Sequence, residues 1–404
     1  MKRLILFLLL ALSASAATVY TTTTGAITTG ATWGGSLPAT TDIAVIRHAC
    51  TLNGTVTFTN LTVDTANGGT LTVSGTSVIN AAVTTTHLVS VNSITLAASA
   101  NLTINGVVTI GNMKEGAGPW RGFTTSGDNV SLTINGNVVK TGTGYGIRYS
   151  NTGTLTINGG VDCQAAQPVV MTTRGAMSAC TITGTCTNST PDGSDYGYVV
   201  QVQGTGNCTV NGDIYITGIG WGVRNEGSGA VVINGSIRTT WTPGWTSGAD
   251  SVDNFGTGTY TVNGDVHHQD SDVGIYARNG SGLVTINGNV YYTNQNRSYG
   301  VAYARGSVQA VTNSTVVIHG HVISPTAAGM TNTFRASGGT VTIWGDLISP
   351  IAIVDGGGVL NAYGQILSAN STNNGTINAV GRPTIAAGSG TLTQILEPTV
   401  FVGH

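Results

Sequence analysis

The chain has 404 residues, of which 8% are Asp, Glu, Lys or Arg, and its formal net charge is −2. An ordinary globular domain carries about 25% charged residues, so composition excludes a basic surface for nucleic acid or an anionic membrane. Three Lys and three Glu cannot dress many amphipathic helices, whereas the abundant Thr, Val, Ile and Tyr suit strands.

The first element is an export signal. Lys2 and Arg3 precede an apolar run from Leu4 to Leu12, and Ala14-Ser15-Ala16 supplies the small residues of a cleavage site after Ala16. Residues 1–16 therefore read as a secretory signal peptide, and the mature chain is expected outside the cell or on its surface. The apolar run is too short for a bilayer, and no later stretch approaches the roughly 18 apolar residues of a membrane span. Residues 17–100 are Thr-rich and irregular, as an N-terminal cap and first rungs should be.

A phrase such as Val284-Thr285-Ile286-Asn287-Gly288-Asn289-Val290 then returns through most of the chain. Aligned on its glycine it gives Gly54, Gly75, Gly106, Gly136, Gly159, Gly184, Gly212, Gly235, Gly264, Gly288, Gly320, Gly345, Gly364 and Gly381, at thirteen intervals of 17 to 32 residues. Such a period marks units that bury their apolar face only by stacking on neighbours. Apolar residues fill the positions four before, two before and two after the glycine, as in Leu132, Ile134 and Val138. Period-two spacing predicts one strand with its even positions in a core, and the intervening Thr103, Thr133, Thr156 and Thr285 face outward.

Asparagine precedes the glycine in most repeats, replaced by Thr183, His319 and Trp344. Asn and Gly both tolerate left-handed backbone, so the pair is expected to turn a corner, and stacked Asn side chains to form a ladder. A further strand precedes the phrase at Gly146–Tyr149, Tyr198–Gln201, Gly222–Arg224, Gly274–Arg278 and 300–303. Together these predict an all-β chain, a right-handed parallel β-helix (solenoid) of about 13 rungs capped at both ends, with its regular repeats over residues 101–364; a propeller or sandwich is the alternative. Residues 365–404, with Pro383 and Pro398, read as a C-terminal cap, and no linker splits off a second domain.

The stretch ATWGGSLPATTDIAVIRHACTLNGTVTFTNLTVDTANGGTLTV, about residues 31–73, resembles the opening of the G8 domain and of pectin-lyase-like β-helices. Trp33, Pro38, Asp42 and the apolar positions Ile43, Val45, Ile46, Leu61, Val63, Leu71 and Val73 carry it. The middle is similar to pectin-lyase-like and autotransporter-passenger β-helices through its rung pattern. The resemblance implies an extracellular, often carbohydrate-facing protein, and transfers no catalytic residue because the matching positions are scaffold.

Chemistry falls in the variable residues ahead of the phrase. Arg148, Arg174, Arg224, Arg278 and Arg335 stand 10 or 11 residues before their glycines, and Arg305 stands 15 before. Such a column either grips carboxylates or sulfates of a polysaccharide, since guanidinium binds planar anions bidentately, or pairs with Asp253 and Glu226. Asp195, Trp221, Asp250 and Asp272 stand 14 to 17 before, with Trp241 and Trp245 on the longest nearby loop. Paired carboxylates beside aromatic platforms suit a glycosidase and equally suit ligand binding or Asx turns.

His267-His268, with Asp265, Asp270 and Asp272, and His319 with His321 share no third ligand and read as surface histidines, so neither metal nor cofactor is expected. No nucleophile elbow or phosphate loop occurs. Cys180 and Cys208 occupy one inward column on adjacent rungs, within disulfide reach or as buried thiols; Cys163 and Cys186 are offset by two positions. A flat Thr array that orders ice-like water needs uniform rungs, which these intervals lack. The expectation is a secreted or cell-surface, adhesin-like protein contacting polysaccharide or surface glycan. A polysaccharide lyase or glycoside hydrolase and a phage tailspike-like receptor binder are the alternatives.

Overall fold

In the coil that begins at Val130 the chain forms three short strands, Val130–Ile134, Val138–Lys140 and Tyr145–Tyr149. Each pairs in parallel with its counterpart one coil on: Gly153–Ile157, Val161–Cys163 and Gln167–Thr172. We call these the first, second and third faces. Repetition of the pattern collects the described strands into one sheet of 28 and one of 15, and the only helical turns among them are Gly30–Trp33 and Thr65–Asn67. The fold is an all-β parallel solenoid. This computed structural model describes residues 16–86, 91–111, 121–172, 177–190, 197–218, 220–240, 250–269, 273–278, 280–293, 306–324, 334–349, 351–368, 370–380 and 391–395.

The period-two reading holds on the first face. Leu132, Ile134 and Val138 are fully buried, and the inward column runs from Leu102 through Leu155, Cys180, Cys208, Tyr260 and Val316 to Leu360 in unbroken register. Each fully buried aliphatic side chain contributes about 1.5–3 kcal/mol. Variable intervals are taken up between strands: Ile216 to Trp221 in one coil corresponds to Thr239 to Val252 in the next. The strand read at 300–303 lies outside the described residues, and Gly306–Val311 fills the third face of that coil.

Asn-Gly does not turn its corner through left-handed backbone. From Gly106 to Gly364 neither the phrase glycines nor the asparagines before them have positive φ. Space is the reason for glycine: a Cβ on Gly212 would lie 2.6 Å from the Gly184 carbonyl oxygen, and one on Gly264 would lie 2.6 Å from that of Gly235. Gly54 and Gly75 belong to a different corner, between third and first faces, where φ is +122° and +59°. The residue in the place of Gly106 one coil earlier is Ala81, and the strand opposite it bulges between Thr57 and Asn60, which makes room for its methyl group. Gly381 lies outside the described residues.

The expected ladder is present in two runs. Asn105, Asn135 and Asn158 each donate Nδ2–H to the Asn Oδ1 one coil before at 2.6, 2.7 and 2.8 Å, starting from Asn80. Asn234, Asn263 and Asn287 continue from Asn211 at 2.7, 2.7 and 2.6 Å. Beyond them His319, Trp344 and Tyr363 replace the amides with stacked rings, centroids 6.3 and 4.2 Å apart. A second ladder, unread in the sequence, uses the residue after the glycine: Asp213 and Asp265 accept the backbone N–H of Ser236 and Asn289 one coil on, at 2.8 and 2.7 Å.

At the N-terminal end Thr18–Tyr20 pairs with Ile43–Ile46, which pairs with Thr55–Asp64. Trp33 is buried against Phe58 and donates its indole N–H to the Ile27 carbonyl at 3.0 Å. Asp42 accepts the N–H groups of Ala17 and Ala39 at 3.1 and 2.8 Å, tying both to the strand Ile43–Ile46 that follows it.

Candidate functional site

The third face gathers the arginines. Its outward column runs Thr124, Arg148, Met171, Gln201, Arg224, Asp253, Tyr276, Gln309 and Arg335 through successive coils. Arg148, Arg224 and Arg335 therefore share a column, as the spacing predicts. Arg278 does not; it follows Ala277 and lies in the next outward position, beside Phe255. Counting back from the glycine cannot separate the two columns, because the turn between them varies in length. Arg174 and Arg305 lie outside the described residues.

Asp253 is the centre of this face. Its side chain is 0% exposed, and Arg224 Nε and Arg278 Nη2 lie 3.2 and 3.0 Å from its Oδ2. Arg224 Nε also stands 2.9 Å from Glu226 Oε1, and Glu226 accepts the amides of Gln201 and Gln203 at 3.1 and 2.8 Å. Aromatic rings close the cluster: Tyr198 stacks on Trp221 with centroids 4.8 Å apart, and Phe255 lies between the two guanidiniums at 5.2 and 4.9 Å. Burial pushes the Asp253 carboxyl above its usual range, and Arg278 and then Arg224 pull it back. Two cations, two carboxylates and flanking amides and rings make this stretch a neutralised zipper along the solenoid axis. The sequence named Arg224, Arg278, Asp253 and Glu226, and missed Tyr198, Phe255 and Gln203, which only the register brings alongside.

Trp221 is 7% exposed and faces Tyr198. Asp250 is 4% exposed and accepts the Val273 N–H at 3.1 Å. Asp195 and Asp272, with Trp241, Trp245 and Asp270, lie outside the described residues. Among the described residues no group of three or more His, Cys, Asp or Glu is arranged to hold a metal ion, and no helix is long and apolar enough to cross a membrane.

The histidines are not all on the surface. His267 faces outward and stacks on Tyr291 at 4.7 Å, but His268 is 1% exposed and meets Ser251 Oγ at 2.8 Å, which in turn meets Thr239 Oγ1 at 2.6 Å. Alternation places His268 inside, because it follows an outward residue on the second face. All five cysteines are buried free thiols, with Cys180 and Cys208 as register partners.

Lys140 obeys the same alternation at greater cost. Its side chain is fully buried, and Nζ donates to the carbonyls of Ala165, at 3.1 Å, and Ala166. Desolvation lowers its pKa from 10.5 to about 8, partly offset by neighbouring Cys163. A folded value below the unfolded one means that the unfolded chain holds more protons from pH 8 to 10.5, so this group's contribution to stability rises with pH in that window. Buried thiols act oppositely above pH 9, since burial raises Cys163 and takes Cys186 to about 12. Wild type should therefore gain about 1.4 kcal/mol on Lys140→Met between pH 7 and pH 9. Urea unfolding of both proteins across that range measures it, and a constant difference would show that the amine titrates normally.

Neither a protein-family model nor a curated protein nor a solved structure matches this chain, so the stacked register and the third-face cluster are the ground for any functional reading.

Proposed function

We propose that the chain is a secreted, adhesin-like binding protein, a right-handed β-helix of about 13 rungs that meets polysaccharide or cell-surface glycan across its third face. The N-terminal signal and the resemblance of residues 31–73 to G8 and pectin-lyase-like openings support export and the glycan-facing role. The observation that carries the reading is the outward column itself: arginines, amides and aromatic rings collected on one face of a ladder whose backbone is fixed by parallel pairing. Binding is favoured over hydrolysis because the described carboxylates of this face are already engaged. Asp253 and Glu226 hold arginines, Asp355 holds Arg335 at 3.0 Å, and Asp250 holds a backbone N–H. A glycosidase needs two carboxyl groups free to exchange protons or attack, about 5–9.5 Å apart.

A panel of neutral and acidic polysaccharides tests this directly. The full chain is expected to be retained by at least one of them while releasing neither new reducing ends nor unsaturated, ultraviolet-absorbing products. Product release would install the lyase or hydrolase reading in its place, and retention by none of the panel would end the glycan reading.

A further inference from the structure

Two strands of the third face repeat one local arrangement, an aromatic ring, glycine, an apolar residue and arginine: Tyr145-Gly146-Ile147-Arg148 and Trp221-Gly222-Val223-Arg224. The apolar residue enters the core in both, with Ile147 0% and Val223 1% exposed. Each guanidinium lies beside the ring three residues before it, 5.8 Å from Tyr145 and 5.4 Å from Trp221. The two sites differ one coil on. Arg224 finds Asp253, its register partner, at 3.2 Å. Arg148 finds Met171 there instead.

No carboxylate among the described residues reaches Arg148, whereas Arg224 has two beside it. Burial lowers the guanidinium's pKa, and no neighbouring acid offsets the effect. On the other side its register partner, Thr124, accepts a hydrogen bond from Arg121 Nη1 at 3.3 Å, so a second guanidinium borders the position. A partly buried cation without a counter-charge is costly, and a planar oxyanion supplies that charge through charge-assisted bonds. The molecule displays that charge pairing at Arg224, beside Asp253 and Glu226.

We propose that Arg148 is the seat of an oxyanion, a carboxylate or sulfate borne by the glycan, which takes the place that Asp253 fills beside Arg224. The glycan as carrier rests on the function proposed above; the anion seat rests on the comparison of the two arginines.

Calorimetric titration of the full chain with oligogalacturonate, a sulfated galactan oligomer and a neutral cello-oligosaccharide tests both parts. One of the anionic probes is expected to bind, which identifies the anion. Arg148→Gln should weaken it about tenfold or more, with falling affinity as salt rises, while Arg238→Gln, at an exposed arginine of the second face, should not. Unchanged binding by Arg148→Gln, or equal affinity for the neutral probe, overturns the seat and leaves glycan binding standing. A second readout separates the two ideas further. If free glucuronate or sulfate shifts the Arg148 Nε–H resonance while no oligosaccharide binds, the seat stands and the glycan reading falls; if neither occurs, both fall. Matching melting curves for the variants exclude unfolding as the cause.

Discussion

Gly212→Ala is expected to be among the most damaging single changes in the chain, costing about 3–5 kcal/mol or preventing soluble folding. The added methyl would sit 2.6 Å from the Gly184 oxygen and 2.7 Å from its carbonyl carbon, and real Cβ atoms essentially never approach below 3.0 Å. Those atoms are backbone, pinned by ladders on either side, so relief requires two coils to separate. A comparison decides whether space or backbone conformation is at issue. Gly357 has φ +80° with nothing within 4 Å of its notional Cβ, so Gly357→Asn should cost about 1 kcal/mol or less because Asn tolerates left-handed backbone. Gly212→Asn should be as harmful as Gly212→Ala. Urea unfolding measures all three, and a tolerated Gly212→Asn would restore the conformational explanation of the phrase.

Asp253→Ala should cost about 3–5 kcal/mol, because it strands two guanidiniums that the fold has largely withdrawn from water. The side-chain exposures are 0% for Asp253, 15% for Arg224 and 21% for Arg278. Removing the pair's partners as well should recover most of the loss, since a neutral set of similar volume needs no counter-charge. Arg224→Met, Glu226→Gln, Asp253→Leu and Arg278→Met combined is that test. The Arg335–Asp355 pair is 35% and 25% exposed, and Asp355→Ala should cost under about 1 kcal/mol. Denaturant unfolding that finds Asp253→Ala no worse than Asp355→Ala would mean that water neutralises the cluster.

The sequence revealed what alternation and repetition can carry. Val284, Ile286 and Val290 announce an inward face by their spacing, and the asparagine ladder follows from a residue type repeated at one corner. Lys140 and His268 were illegible for the opposite reason: hydropathy places them outside, while the pleat places them inside, where Ala165 and Ser251 supply partners. The glycines were seen but misread, because a shortage of room between coils leaves the same mark in a sequence as a demand for positive φ. Ala81 shows the difference, since a bulge across from it admits a methyl group where the later described coils need glycine. At the candidate site, Asp253 meets Arg278 across 25 residues, and turn lengths that differ from coil to coil hide such partnerships until the register is known.

The continuous inward column of the first face also bears on how the chain assembles. A strand finds its hydrogen-bonding partners only in the coil before it and the coil after it, so a finished coil is a complete template for the next length of polypeptide. Order can therefore spread from coil to coil along the chain, with no need for distant segments to find each other first. Extension at the far edge needs a residue at each corner small enough for the narrow gap beside the coil before it, which glycine meets.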